Sequence, residues 1–272
     1  MCIIISVIIF ILIERSIAMK IIAVSNQKGG VGKTTTATTL AYGLKLRGKK
    51  VLLVDCDPQC NSTDTWRAKT AEGNPTLADL LFTNEKAEEC VQHTEIGDIL
   101  AGDPVLEEAE KHLTGFSGFF KLKKRLEPLA ASYDHIILDT PPNLGILLQN
   151  ALIAAEGVIV PVTCGRYSLQ GMSRFVDTVN DVKSHPNPEL EILGMLLVQY
   201  VDRRVLAREV VSGLPDLTEK LGTGVFETKI RRTENVEKAQ AHRVPLQRYA
   251  PDATAAEDYD ALIDELERRE II

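Results

Sequence analysis

The sequence predicts an α/β protein: a doubly wound, mostly parallel sheet with helices on both faces. Apolar runs at 21–24, 51–54, 136–138, 158–162 and 192–198 alternate with helix-length amphipathic stretches, the order that repeated strand–helix units produce. These runs are continuous instead of alternating with polar residues, which marks strands covered on both sides. The first run passes into a glycine-rich segment at 28–35 and then into a helical pattern. The 272 residues suffice for a single core, and no internal repeat or Pro- or Ser-rich linker divides them. Residues 19–272 are therefore read as a single domain.

Each element can be justified in chain order. Residues 2–13 are almost wholly apolar, yet shorter than the roughly twenty residues of a membrane-spanning helix. No basic residue precedes the run, and no small-residue cleavage site follows it, so it is a poor secretory signal. The expectation is a start at Met19, with residues 1–18 an apolar extension from a misassigned start; an anchor helix is the lesser alternative. The segment from Lys28 to Thr35 reads KGGVGKTT. A glycine loop between a strand and a helix leaves backbone N–H groups free to donate to a polyphosphate, so the loop is read as a nucleotide site. The ordinary phosphate-loop pattern would place glycine where Gln27 stands. This loop instead carries two ammonium groups, Lys28 and Lys33. Ala37, Leu40, Ala41 and Leu44 then follow helical spacing until Gly48.

The next strand ends in Asp55 and Asp57, which places carboxylates at the ligand edge of a parallel sheet. A turn followed by a helix cap is the alternative reading of the same acids. A short strand is expected near 96–101. The run from His135 to Leu138 closes on Asp139 and then Thr140, Pro141 and Pro142. That pattern fits a Walker B strand, whose carboxylate holds magnesium through water. At the C-terminus, Ala255, Tyr259, Leu262 and Leu266 form a helical stripe with an acidic opposite face.

With these blocks in order, the chain resembles the ParA/MinD family of deviant Walker A ATPases, on the side of the Soj-like partition ATPases. The resemblance covers Met19 to the C-terminal helix and is most specific in the three nucleotide blocks. It implies ATP and Mg2+ as cofactors, bound by Lys28, Gly29, Gly30, Val31, Gly32, Lys33, Thr34 and Thr35. Lys33 would hold the β and γ phosphates, Thr34 would ligate magnesium with Asp139 on the metal side, and Thr35 would lie by the α phosphate. Lys28 would reach the nucleotide of a second subunit, so that ATP joins a homodimer. Asp57 would orient or activate the attacking water, with Asp55 structural or near the metal. The two prolines resemble the segment that senses a γ phosphate. The stretch 165–171, with Tyr167, resembles the approach to a dimer-interface helix, and 236–245 resembles the nucleotide-side C-terminal region without assigning adenine contacts.

Composition sharpens the choice within that family. The five cysteines, Cys2, Cys56, Cys60, Cys90 and Cys164, form no CxxC pair and no zinc spacing with histidine, so they are read as reduced thiols. This argues against cluster-carrying and electron-transfer branches. The net charge of −7 gives no general attraction for nucleic acid, so DNA contact needs a local patch. Candidates are Arg203, Arg204 and Arg208, and Lys229, Arg231 and Arg232 after the strand-like 225–228; surface salt bridges are the alternative use of these cations. A MinD-type membrane helix should carry a basic polar face, whereas the C-terminal helix is acidic, so a membrane partner is not expected. The resulting expectation is a cytoplasmic, nucleoid-associated partition ATPase. It would dimerise on ATP, bind nonspecific double-stranded DNA and separate plasmid or chromosomal DNA with a ParB-like centromere-binding partner. The alternatives are a positioning ATPase for another cargo, MinD-like or otherwise, and an ATP-dependent metabolic ligase of the same fold. Lys28 argues against the ligase, which has no need of a cation shared between subunits.

Overall fold

The structure, a computed structural model, describes residues 19–71, 73–163, 172–201 and 218–272. The N-terminal extension, Cys164, the stretch 165–171 and Arg203, Arg204 and Arg208 lie outside the described residues. The strands are β1 (Lys20–Val24), β2 (Val51–Asp55), β3 (Val91–His93), β4 (Asp98–Leu100), β5 (His135–Asp139), β6 (Gly157–Thr163), β7 (Glu191–Tyr200) and β8 (Val225–Arg231). They form a single sheet in the order β3-β4-β2-β5-β1-β6-β7-β8. Every neighbouring pair is parallel except β3 with β4, which is antiparallel. The expected mostly parallel sheet is present, with its antiparallel pair at one edge. The strand near 96–101 is β4, and 225–228 is the start of a longer β8 that takes in Lys229 and Arg231.

Side-chain alternation explains why the strands read as unbroken apolar runs. Ile21, Ala23, Leu52, Val54, Ile136 and Leu138 face one core, whereas Ile22, Val24, Leu53 and Ile137 face the other. The first core is closed by helices α3 (Leu77–Phe82), α4 (Lys121–Leu126), α5 (Ile146–Ala154) and α6 (Ser173–Ser184). The second is closed by α1 (Lys33–Leu46) and the C-terminal helix α8 (Thr254–Arg268). The short helices α2 (Asn61–Thr65) and α7 (Glu234–Ala241) stand at the carboxyl edge of the strands.

Leu40, Leu44, Leu262 and Leu266 are fully enclosed between α1 and α8, each contributing about 1.5–3 kcal/mol by burial. The close approach of these helices uses Gly43, where a Cβ would sit 2.5 Å from Ile263 Cδ1. The outer strand β8 is also tied to α8. Glu265, with no exposed surface, accepts the N–H groups of Glu227 and Thr228 at 3.0 and 2.9 Å and pairs with Arg269 at 2.6 Å. Among the described residues, no helix is long and apolar enough to cross a membrane.

Candidate functional site

The register of the central strands brings the acidic blocks to the glycine loop. Val24 pairs with Asp139, and Asp139 with Asp55, so the ends of β1, β5 and β2 are level at the carboxyl edge. Above them lies a cavity of about 610 Å³, lined by the loop, Asp57, Pro142, Gln199, Arg231 and Gln240, among others. Gly30 and Gly32 hold φ of 73° and 79°, left-handed values that glycine adopts without a side-chain penalty. Asn26 steadies the loop, donating to Pro161 O at 2.7 Å and accepting from Lys28 N at 3.0 Å.

Lys33 is 7% exposed, and its ammonium donates to Lys28 O at 3.1 Å. Burial lowers its pKa, while the charges of Asp139 and Asp57 act in the opposite sense. Lys28 and Lys33 thus belong to one continuous hydrogen-bonded loop. Gln199 donates to Gly30 O at 3.2 Å, and Gln240 donates to Thr35 Oγ1 at 3.1 Å. Thr36 Oγ1 lies 3.0 Å from the hydroxyl of Tyr259, tying the first turn of α1 to α8.

The carboxylates divide by their partners. Asp139 is fully buried beside the Thr34 hydroxyl; Oδ2 accepts from Ser62 Oγ at 2.7 Å, and Oδ1 has no partner. Burial, and next the charge of Asp55, push its pKa up. A buried carboxylate oxygen without a donor, beside a loop hydroxyl, is the donor set a hard divalent cation requires. The residues therefore fit magnesium. Asp55 differs, since Oδ1 accepts from Asp57 N at 3.2 Å and Oδ2 from both Thr63 N and Thr63 Oγ1, at 2.8 and 2.7 Å. It organises the turn into α2. Asp57 lines the cavity and accepts from Gln59 N at 3.0 Å, so the turn given as the alternative reading of these acids and the ligand-facing position coincide.

Other sequence candidates are placed less simply. Arg231 is bound on both oxygens of Asp258, with Nη2 at 2.7 Å and Nε at 3.0 Å, and reaches Glu257 at 3.3 Å. Lys229 lies 5.0 Å from the Tyr200 ring centroid, while Arg232 lies at the rim of the nucleotide cavity. Cys56 is buried and Cys60 half-buried; burial and Asp55 push both thiols up, Cys60 to about 12. They are poor thiolates, consistent with packing. Sequence reading did not select Ser62, Gln199 or Gln240. Ser62 and Gln199 belong to no motif, and Gln240 fell in a stretch whose contacts could not be assigned.

A strand, a two-lysine glycine loop, a helix and a magnesium-suited aspartate define a phosphate-loop nucleotide-binding protein. The family model described as AAA domain matches residues 19–192. The chromosome partitioning protein ParA of Myxococcus xanthus is 37% identical over 254 residues, covering 92% of this chain and 89% of that protein. The sporulation initiation inhibitor protein Soj of Bacillus subtilis is 37% identical, covering 91% and 98%. The solved cobyrinic acid a,c-diamide synthase of Mycobacterium smegmatis, with an ATP analog and magnesium, is 31% identical with a TM-score of 0.81, covering 93% and 95%. The chain belongs to the ParA/MinD family of ATPases and within it to the Soj-like partition group.

Proposed function

We propose that this chain is an ATP-dependent partition ATPase that dimerises on ATP, holds nonspecific double-stranded DNA, and releases it when a ParB-like partner stimulates hydrolysis. The observation that carries the reading is the pair of lysines in one loop, Lys33 Nζ on Lys28 O, facing Asp139 and Asp57. Lys33 would hold the β and γ phosphates, and Thr35 would lie by the α phosphate. Thr34 and the unpartnered oxygen of Asp139 would hold Mg2+, which when bound neutralises phosphate charge. Asp55, engaged by Thr63 and Asp57, would act from outside that coordination shell. Asp57 would orient the attacking water. Lys28 would extend to the nucleotide of the second protomer, so nucleotide binding and dimerisation become a single event. Lys229 and Arg232, with Arg203, Arg204 and Arg208, would supply phosphate contacts that read no base sequence. Arg231 would first have to leave Asp258.

Light scattering with ATP, ADP and no nucleotide tests the reading. The expected result is a dimer with ATP alone, trapped when Asp57→Ala blocks turnover. Monomers at saturating ATP in that variant overturn it. A gel shift on random duplex DNA should follow the same nucleotide order.

The likeness to the M. smegmatis structure supports a second reading, an ATP-dependent ligase that activates a carboxylate. ATP turnover that requires an organic acid and ignores DNA would select it.

A further inference from the structure

The end of β7 carries a conformation its residue type does not favour. Gln199 has φ of +53°, a left-handed value uncommon for a non-glycine residue, next to a register irregularity between Leu197 and Tyr200. Such conformations persist where the surroundings over-determine them, and they gather at ligand sites. Here the backbone turn directs the side chain to the glycine loop, where Nε2 donates to Gly30 O at 3.2 Å. Both residues line the nucleotide cavity.

Gly30 O belongs to the same planar unit as the N–H of Val31. That unit is flanked on one side by Gly30, at φ +73°, and is followed by Gly32, at φ +79°. A Cβ at Gly30 would meet nothing within 4 Å, so packing there does not fix the unit. Gly30 gives the peptide a free pivot on one side, the other being φ of the buried Val31, and rotation would redirect an N–H that a phosphate needs. A loop that is correctly oriented only part of the time binds its ligand more weakly by that fraction.

We infer that Gln199 is a positioning residue of the nucleotide site: its amide fixes the Gly30–Val31 peptide and so pre-organises the loop for phosphate. The inference rests on the nucleotide reading above, though not on DNA binding or dimerisation. Gln199→Met keeps the length and removes the donor, whereas Gln199→Gly suits the left-handed backbone and also removes it. In both variants, Mg-ADP should bind about three- to tenfold more weakly by fluorescence titration, while the unliganded unfolding midpoint of Gln199→Gly stays at or above wild type. The Val31 amide should show exchange broadening in both unliganded variants and a sharp signal in the wild type.

Wild-type Mg-ADP affinity in both variants, or an unbroadened Val31 signal with weakened binding, overturns the inference; the latter assigns Gln199 to direct nucleotide contact. Failure of the wild-type protein to bind ADP would instead remove the nucleotide reading itself.

Discussion

The two ends of the sheet handle their carboxylates in opposite ways. At the carboxyl edge, Asp139 keeps a buried oxygen without a donor, Gln199 and Cys60 hold left-handed backbones, and burial together with the charge of Asp55 pushes the pKa of Asp139 up. At the amino edge, a cavity of about 460 Å³ is lined by Lys45, Lys49, Lys50, His93 and Tyr133, among others. There Asp98 accepts from Tyr133 at 2.8 Å and meets His93 Nδ1 at 2.8 Å, and Lys45 donates to Ile96 O. At the amino edge Asp98 is satisfied within the chain, although the buried His135 Nδ1 there has no partner; at the carboxyl edge the unpartnered group is a carboxylate oxygen beside the glycine loop. The unpartnered carboxylate, the left-handed backbones and the larger of the two cavities, about 610 against about 460 Å³, coincide at the carboxyl edge, as expected where a ligand is to supply missing partners.

The largest test of that contrast is Lys33→Ala. Removing the buried ammonium should weaken ATP binding about 100-fold, roughly 3 kcal/mol, as titration with a fluorescent nucleotide would show. Retained tight binding would place the phosphate elsewhere. Asp139→Asn should separate function from stability. ATP affinity should lose its dependence on Mg2+, while the unliganded unfolding midpoint rises by roughly 2–4 °C as a buried like-charge pair is removed. A fall in the midpoint would mean that Asp139 is already satisfied. Asp98→Ala, at the amino edge, should reverse the pattern. Tyr133 and His93 lose their acceptor, so stability should drop by about 1–2 kcal/mol with ATP affinity unchanged. A nucleotide effect would break the comparison. The smallest expected effect is that of Arg232→Ala, which should lower the salt slope of DNA binding by about 1 without disturbing dimerisation. An unchanged slope would remove Arg232 from the DNA surface.

Much of this contrast was legible in the sequence, because the carboxyl edge is built from segments that are local in the chain. KGGVGKTT is a loop that runs into a helix, and VLLVDCD and HIILDTPP are each a strand with its following turn, so each carries its chemistry within one short stretch. The continuous apolar runs gave the parallel sheet, since two covered faces leave no polar alternation. What stayed hidden depends on distant parts of the chain meeting. Gln199 and Gln240 reach the loop only because β7 and β8 lie beyond β6 in the strand order. Arg231 looked available for DNA, with Asp202, Glu209 and Glu234 as the nearby acids that could engage such cations. Its partner is Asp258, 27 residues away on α8, whereas Lys238 does take Glu234. The strand β3, only Val91–His93, is too short and too mixed in polarity to announce itself.

The Glu265 carboxylate has a consequence for assembly. An outermost strand ordinarily offers unpaired amides to any extended segment that drifts past, a route to both peptide capture and aggregation. Here the amides of Glu227 and Thr228 are already occupied by a helix of the same chain. A visiting strand would have to evict a buried charge held by Arg269 before it could add itself there. Growth of the sheet past β8 is blocked at that point.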